Sequence, residues 1–291
     1  MRSENTLPEL ELAYLDTLWV QLTGTVCNIA CRHCFISCGP KVTTHEVMSE
    51  IEVARALDEA LAHGVRSIWF TGGEPLMHPS FLSLVERTLA VAPLGVLTNG
   101  MLIDRAMAHA LSELAENSEY NLEIRVSLDG CDAVTNDAIR GKGVFEKATA
   151  GIRHLAQAGL EPVIAVARLE DTPGLERGVF LDLLRELGVS RPRVKWIPPF
   201  RLGREATRRG GRAYRASERL TVEELGHPEA NFRLQCGTSR TVTSRGVFPC
   251  PILINQPRAR LGPTLEGSPD HHAVNHSACL TCWEEGFSCS T

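Results

Sequence analysis

Three features are absent from this chain of 291 residues, and each absence excludes a class of protein. No apolar run reaches the roughly 20 residues of a membrane span, so we expect no membrane partner. The first residues lack the apolar core of a signal peptide, so we expect a cytoplasmic protein. The net charge is −5, without a basic excess, so nucleic acid is not an expected partner.

Cysteine, by contrast, is abundant. In a reducing compartment, ten cysteines indicate metal ligands or buried thiols rather than disulfides. They form an early group (Cys27, Cys31, Cys34 and Cys38) and a tail group (Cys236, Cys250, Cys279, Cys282 and Cys289), with Cys131 alone between them. Because thiolates bind iron–sulfur clusters, zinc or Cu(I), both groups are candidate metal sites.

Segments with strand and helix character alternate through the first 200 residues. The predicted strands are 18–22, 67–71, 95–98, 122–128, 162–167 and 193–197. The predicted helices are 49–63, 81–91, 104–116, 144–158 and 175–187. This alternation predicts an α/β fold with a parallel sheet, open or curled into a partial (β/α)6 barrel. Ligands bind such sheets at the carboxyl ends of the strands. The early cysteines and residues 72–75, 98–100 and 127–130 lie at those ends, so we expect them to meet at one rim.

The pattern changes near residue 200, where we place a domain boundary. We expect an N-terminal lead (1–17), a barrel core (18–199) and a small cysteine-rich C-terminal unit (200–291). Residues 201–219 carry seven arginines. They either receive an acidic substrate or partner, or form a solvated face compensated by Glu205, Glu218, Glu223 and Glu224.

The order of the motifs resembles the radical S-adenosylmethionine (radical SAM) superfamily. Cys27, Cys31 and Cys34 have C-x3-C-x2-C spacing, and Gly-Gly-Glu-Pro at 72–75 follows the second predicted strand. Further matches are Thr-Asn-Gly at 98–100, Ser-Leu-Asp-Gly at 127–130 and the run 140–152. These later matches resemble the branch that carries auxiliary clusters in a C-terminal SPASM or twitch domain.

The resemblance implies that three thiolates hold a 4Fe–4S cluster whose open iron takes the amino and carboxylate groups of SAM. One electron then cleaves SAM to methionine and a 5′-deoxyadenosyl radical, which abstracts a substrate hydrogen. The electron would come from a reductant such as flavodoxin or ferredoxin. The implied SAM-binding residues are Gly72, Gly73, Glu74, Asn99, Ser127, Asp129 and Arg168.

The same resemblance suggests individual roles for several of these residues. The paired glycines would give methionine a side-chain-free edge, and Glu74 would lie near its ammonium group. Ser127 and Asp129 would hydrogen-bond the ribose or the amino-acid portion. Arg168 would pair with the methionine carboxylate, although an arginine after a strand is usually a surface residue.

Other interpretations start from the same early residues. A structural zinc site usually has four ligands, and Cys38 could supply the fourth thiolate. We take Cys38 as a non-ligand because the loop of the family supplies three cysteines. His33 is expected to pack beside the cluster rather than bind it. Residues 72–75 taken alone are also compatible with a simple turn.

The tail cysteines resemble a twitch domain. Cys236 and Cys250 match its opening hairpin, although Gly-x3-Cys replaces the usual Gly-x4-Cys. Cys279 and Cys282 complete four thiols, so the count favours one auxiliary 4Fe–4S cluster over the two of a SPASM domain. Cys289 is a spare thiol or a substitute ligand. A four-cysteine zinc ribbon is the alternative.

Three histidines precede the last cysteines: His271, His272 and His276. We expect them to be exposed loop residues rather than ligands.

Three functions follow from these sites. The first is oxidation or rearrangement of a small biosynthetic molecule, with the auxiliary cluster as electron acceptor, as in twitch-bearing alcohol dehydrogenases of aminoglycoside biosynthesis. The second is modification of a peptide side chain. The N-terminal lead is too short for the leader-peptide-binding domain that many such enzymes carry, so we expect a small substrate or a separate recognition protein. The third is a zinc-stabilised binding protein without catalysis. No residue is identified as catalytic acid, base or radical quencher.

Overall fold

The computed structural model describes residues 8–169, 171–172, 176–227 and 230–286. Its strands are β1 (Glu9–Glu11), β2 (Thr17–Gln21), β3 (Ser67–Thr71), β4 (Leu94–Thr98), β5 (Leu122–Ser127), β6 (Val163–Ala167), β7 (Arg193–Ile197), β8 (Ser239–Thr243), β9 (Gly246–Phe248) and β10 (His271–Ala273). Its α-helices are α1 (Glu50–Ala62), α2 (Phe81–Leu89), α3 (Arg105–Glu116), α4 (Ala133–Arg140), α5 (Val144–Gln157), α6 (Arg177–Glu186), α7 (Val222–Leu225), α8 (Ala230–Arg233) and α9 (Ala278–Glu285). None of these helices is long and apolar enough to cross a bilayer.

The strands form one large, mainly parallel sheet. Among the described residues its order is β7-β6-β5-β4-β3-β2-β8-β9, and every neighbouring pair except β8–β9 is parallel. Strands β2 to β7 are the six predicted from the sequence, in chain order. The predicted α/β fold with a parallel sheet is therefore confirmed, and its architecture is consistent with a partial barrel.

Both faces of the central strands are buried, so alternate residues face two different cores. Leu18 and Val20 of β2 pack in the core that also holds the buried faces of the helices. Trp19, between them, packs in a second core on the opposite face. In α1 the buried residues recur at helical spacing, and the helix begins at a capping box made by Ser49 and Glu52. The helices thus pack against one face of the sheet. The opposite face is left for the candidate site.

Two stacked tryptophans occupy that other face. The ring centroids of Trp19 and Trp69 are 5.4 Å apart. Gly95 on the adjacent strand gives them space, because a Cβ atom there would lie 2.2 Å from the Trp69 ring. The guanidinium of Arg125 lies over the same ring at 4.1 Å from its centroid. The two tryptophan rings therefore cover this face of the sheet, below the carboxyl ends of the strands.

The tail is joined to this sheet. β8 runs parallel to β2, with Thr17 opposite Ser239, and β1 pairs with β10 near the chain end. The sheet thus continues past the predicted boundary at residue 200, which stays a prediction. α4 was not predicted, because its sequence has few apolar positions. The predicted start of the helix at 175 lies outside the described residues.

Candidate active site

A large cavity lies at the carboxyl ends of the parallel strands. It encloses about 1360 Å³, counting the part that is open to solvent. Each of the six strands places a terminal residue in its wall: Gln21, Thr71, Thr98, Ser127, Ala167 and Ile197. The early cysteines, Gly72, Gly73 and Asn99 also line it. The segments expected to meet at one rim are therefore brought together there.

The early cysteines lie in a loop that ends inside this cavity. Cys27 is buried, and Cys31 and Cys34 are partly exposed. Burial raises the pKa of Cys27 to about 12. Cys38 lines the same cavity, and its backbone N–H donates to the Cys34 sulfur over 3.3 Å. The Cys38 side chain is also hydrogen-bonded to that sulfur, which lowers the pKa of Cys34. Both contacts from Cys38 stabilise negative charge on the Cys34 sulfur.

Three thiols that line one cavity form a donor set whose chemistry suits an iron–sulfur cluster. Within the part of the chain that the structure describes, no three His, Cys, Asp or Glu side chains are grouped to hold one metal ion. Zinc needs its sulfur ligands about 2.3 Å from a common point. In a 4Fe–4S cluster each thiolate binds a different iron, so the thiols can lie farther apart. Cys27, Cys31 and Cys34 all lie in the wall of this cavity.

The glycine–glutamate motif packs directly against the cysteine loop. A Cβ atom on Gly73 would lie 2.0 Å from the Val26 carbonyl oxygen, so a larger residue cannot fit. The Glu74 carboxylate is fully buried and accepts hydrogen bonds from Leu76 N–H (3.2 Å), Thr98 Oγ1 (2.7 Å) and Asn99 N–H (2.8 Å). Burial raises its pKa to about 7, although these donors oppose the shift. Glu74 therefore ties two strand ends together, and its contact with an ammonium group stays a prediction.

Asn99 links the Thr-Asn-Gly turn to the cysteine loop. Its Nδ2 donates to Asn28 Oδ1 over 2.7 Å and lies 3.8 Å from the Cys27 sulfur. Its Oδ1 accepts from Met101 N–H, which fixes the amide within the turn. Asn99 and Ser127 both face the cavity, as a role in binding a cosubstrate requires.

Asp129 forms a buried ion cluster. Its Oδ2 is 2.7 Å from Arg140 Nε and 3.0 Å from His33 Nε2, and its Oδ1 accepts from Ala167 N–H. Burial alone would raise the pKa of Asp129, but Arg140 and His33 hold it well below its usual range. Both of these partners line the cavity. Asp129 thus positions Arg140 and His33, and its predicted contact with SAM stays untested.

Arg168 lies apart from the other predicted residues. Its guanidinium Nη2 is 2.8 Å from Glu285 Oε2, and its side chain is 54% exposed. It is not part of the described cavity wall. The structure therefore gives Arg168 a surface ion pair, and its proposed contact with the methionine carboxylate stays a prediction.

Arg204, which the sequence did not single out, holds the cysteine loop in place. Its Nε donates to the Cys31 carbonyl over 2.7 Å, and its Nη2 donates to the Cys38 carbonyl over 2.6 Å. Its backbone N–H donates to the Cys34 carbonyl over 3.1 Å. One residue from beyond β7 thus spans the loop and brings positive charge to the thiols. Its position within an arginine-rich run gave no signal of this role.

Other arginines of that run form ion pairs with acidic side chains. Arg208 bonds Glu205 (2.7 Å) and Asp171 (2.6 Å), and Arg212 bonds Glu218 (2.7 Å). This pairing supports the compensated face over an open basic patch.

The tail cysteines line a second, smaller cavity. It encloses about 390 Å³, counting its open part, and Cys236, Cys250, Cys279 and Cys282 all lie in its wall. Burial raises the pKa of Cys236 well above its usual range, and neighbouring thiols add to the shift. The four predicted tail ligands are thus brought together. Cys289 lies outside the described residues.

The histidines of the tail differ from one another. His271 is exposed, as expected, but His272 is only 7% exposed and lines the tail cavity. The expectation of an exposed loop residue was wrong for His272, because β10 pairs with β1 and its alternation turns this side chain inward. His276 is half-buried, and its Nδ1 accepts from Ala278 N–H at the start of α9.

This arrangement is matched by known proteins. Residues 22–169 match the family model of the radical SAM superfamily. The chain belongs to the radical SAM superfamily. Proteins of this superfamily are enzymes that use SAM and a 4Fe–4S cluster.

Curated relatives and solved structures extend the comparison. The mycofactocin maturase MftC of Mycobacterium tuberculosis is 35% identical over 139 residues, which are 47% of this chain and 34% of that protein. The GTP 3′,8-cyclase 2 of the same species is 29% identical over 281 residues, 92% of this chain and 70% of that protein. The structure of Streptococcus suis SuiB bound to its precursor peptide SuiA has a TM-score of 0.62 at 14% identity, covering 94% of this chain and 65% of that one. The chain spans about a third of the length of the maturase.

Proposed function

We propose that this radical SAM enzyme oxidises or rearranges a small biosynthetic substrate, with a second cluster in its tail as the electron acceptor. The proposed metal ligands are Cys27, Cys31 and Cys34 at the mouth of the barrel and Cys236, Cys250, Cys279 and Cys282 in the tail. The observation that carries the proposal is that each set of thiols lines its own cavity. The proposed units are a lead (1–17), a barrel core (18–199) and a cysteine-rich tail (200–291).

The residues around the first site prepare it for a negatively charged centre and a polar cosubstrate. When bound and reduced, the cluster supplies the electron that cleaves SAM, and the resulting 5′-deoxyadenosyl radical abstracts a substrate hydrogen. Arg204 and Arg140 place positive charge near the thiols. Gly72, Gly73, Asn99 and Ser127 provide cavity wall for the cosubstrate, with Glu74 and Asp129 holding their neighbours in position.

The proposed tail cluster would act in the last step of the reaction, the removal of an electron from the substrate radical. Four thiols fill the coordination of a 4Fe–4S cluster, so the tail cluster would not bind substrate through iron. Its proposed role is to take an electron from the substrate radical after hydrogen abstraction. The two sites adjoin: Ile252 lines both cavities, and the Trp19–Trp69 pair shares a packed core with Cys236 and Cys279.

A peptide substrate is the second candidate. SuiB, which has a similar fold, is described bound to a precursor peptide, whereas the GTP 3′,8-cyclase carries a nucleotide in its name. The relatives therefore weaken the expectation of a small substrate without replacing it. The cavity wall combines apolar side chains with a few polar groups, which suits either a small molecule or one peptide side chain.

The test is anaerobic incubation of the reconstituted protein with dithionite, SAM and deuterated candidates of both classes. Deuterium in 5′-deoxyadenosine identifies the class that donates the hydrogen. The electron-acceptor role is tested by replacing Cys279 and Cys282 with Ala. This variant should still form 5′-deoxyadenosine but lose the oxidised product. Undiminished oxidised product from the variant would contradict the role of the tail cluster.

A further inference from the structure

The tail cavity contains buried polar groups without partners. His272 is 7% exposed and Gln235 is 3% exposed, and both side chains line the cavity with the four thiols. Both ring nitrogens of His272 and both amide atoms of Gln235 lack a hydrogen-bond partner within the described chain. Two side chains in the wall of one cavity thus carry four buried polar atoms without a hydrogen-bond partner among the described residues.

Such a cavity is costly unless something fills it. Leaving one buried donor or acceptor unsatisfied costs about 1–3 kcal/mol, and native proteins leave few such groups. The rest of the wall consists of thiols, apolar side chains and backbone. The imidazole of His272 carries at least one ring N–H in either protonation state, and the Gln235 amide carries two N–H donors. A cluster held by the four thiols would place sulfur acceptors in this cavity for the N–H groups of His272 and Gln235.

One buried arginine joins the two segments that carry these side chains. Arg240 Nη1 donates to the Cys236 carbonyl over 2.8 Å, next to Gln235 in the chain. Its Nη2 donates to the Asp270 carbonyl over 3.0 Å, two residues before His272. Pairing of β10 with β1 sets His272 opposite Leu10 and turns its side chain inward. The segments that carry the two side chains are thus linked through Arg240 and the β1–β10 pair.

We propose that His272 and Gln235 donate N–H hydrogen bonds to the sulfurs of the metal centre held by the tail cysteines and thereby raise its reduction potential. The inference rests on the proposed function, in which that centre is a 4Fe–4S cluster. Reduction adds negative charge to the cluster, and a hydrogen bond to sulfur stabilises the more negative state. A higher potential makes the tail cluster a better acceptor of an electron from a substrate radical.

The experiment uses the full chain with Cys27, Cys31 and Cys34 replaced by Ala, so that only the tail centre contributes. Iron and sulfide are counted first, and the reduction potential is then titrated by electron paramagnetic resonance. Absence of iron in this parent protein would refute the auxiliary cluster of the proposed function. With the cluster present, the potential tests the two donors separately from that question.

His272→Phe should retain the cluster and shift the reduction equilibrium about tenfold toward the oxidised form, about 59 mV for one electron. His272→Asn, which keeps an N–H donor, should recover part of the shift. Gln235→Leu should shift the potential in the same direction as His272→Phe. The matched control is His271→Phe, whose side chain faces outward on the same strand, and its potential should equal that of the parent.

Two results would overturn the inference. One is an unchanged potential in both His272→Phe and Gln235→Leu with full iron content, because the donors would then not reach the cluster. The other is loss of iron from His272→Phe and His272→Asn with Gln235→Leu unaffected in potential, because His272 would then be a ligand rather than a donor.

Discussion

Arg204 offers a quantitative test of how the cysteine loop is held. Its side chain donates two charged hydrogen bonds, to the carbonyls of Cys31 (2.7 Å) and Cys38 (2.6 Å). Each bond from a charged group contributes about 1.5–3 kcal/mol. Because Arg204 is partly exposed, we use the lower end and expect Arg204→Gln to weaken the closed loop by about 2–3 kcal/mol. At 1.4 kcal/mol per factor of ten, the loop would open roughly 30- to 100-fold more often.

The assay is the anaerobic rate of iron release to a chelator, since local opening of the loop would expose the cluster proposed to bind there. Arg204→Gln should release the iron of the barrel site roughly 30- to 100-fold faster. Arg204→Lys keeps the charge but cannot span both carbonyls, so its rate should fall between those of the wild type and Arg204→Gln. Arg209→Gln changes an exposed arginine of the same segment and should release iron at the wild-type rate. An iron-release rate for Arg204→Gln within twofold of the wild-type rate would refute the claim that Arg204 holds the cysteine loop closed.

Three further predictions concern the sheet, the buried ion cluster and the surface. Gly95→Ala should lower the free energy of unfolding by about 1–3 kcal/mol in urea, because its Cβ atom would meet the Trp69 ring at 2.2 Å. Asp129→Asn should lower it by about 3–5 kcal/mol, since it leaves the buried guanidinium of Arg140 uncompensated. Arg168→Ala should change the KM for SAM less than about twofold, because its side chain forms an exposed ion pair that contributes little.

Matched changes control for these effects. Gly178→Ala lies in α6 with no atom within 4 Å of the new Cβ, and it should stabilise by about 0.5–1 kcal/mol. Asp182→Asn breaks an exposed pair with Arg185 and should cost less than about 1 kcal/mol. Each buried change should lower the free energy of unfolding more than its exposed control does. Equal losses of this free energy in either comparison would contradict the packing described here. A large rise in KM for Arg168→Ala would restore its predicted contact with SAM.

Most of the barrel could be predicted from the sequence because its strands are short, apolar and separated by helices with clear periodicity. β3 and β7 were predicted to the residue, and the predicted helix at 104–116 is α3 with Asp104 as its N-cap. α4 was missed because its residues carry almost no apolar pattern. The pairing of β8 with β2 was also missed, since a five-residue strand does not reveal its distant neighbour.

The site was predictable where a motif has fixed spacing and was not where contacts come from distant segments. The three early cysteines, Gly73 and Asn99 meet in one cavity, as their positions after strands indicated. Arg204 lies about 170 residues from the loop that it holds. Nothing in the sequence distinguishes it from the other arginines of the same run. Burial of His272 depends on a pairing between the two ends of the described chain, which local sequence does not reveal.

The most direct test of the central claim concerns Cys27, Cys31 and Cys34, which are proposed to hold the cluster that cleaves SAM. Iron, sulfide and 5′-deoxyadenosine are measured anaerobically with dithionite for the triple Ala variant and for Cys131→Ala, the cysteine outside both groups. With two 4Fe–4S clusters, the wild type and Cys131→Ala should hold about eight irons and form 5′-deoxyadenosine, and the triple variant about four irons with none formed. Formation of 5′-deoxyadenosine by the triple variant at the wild-type rate would contradict the account.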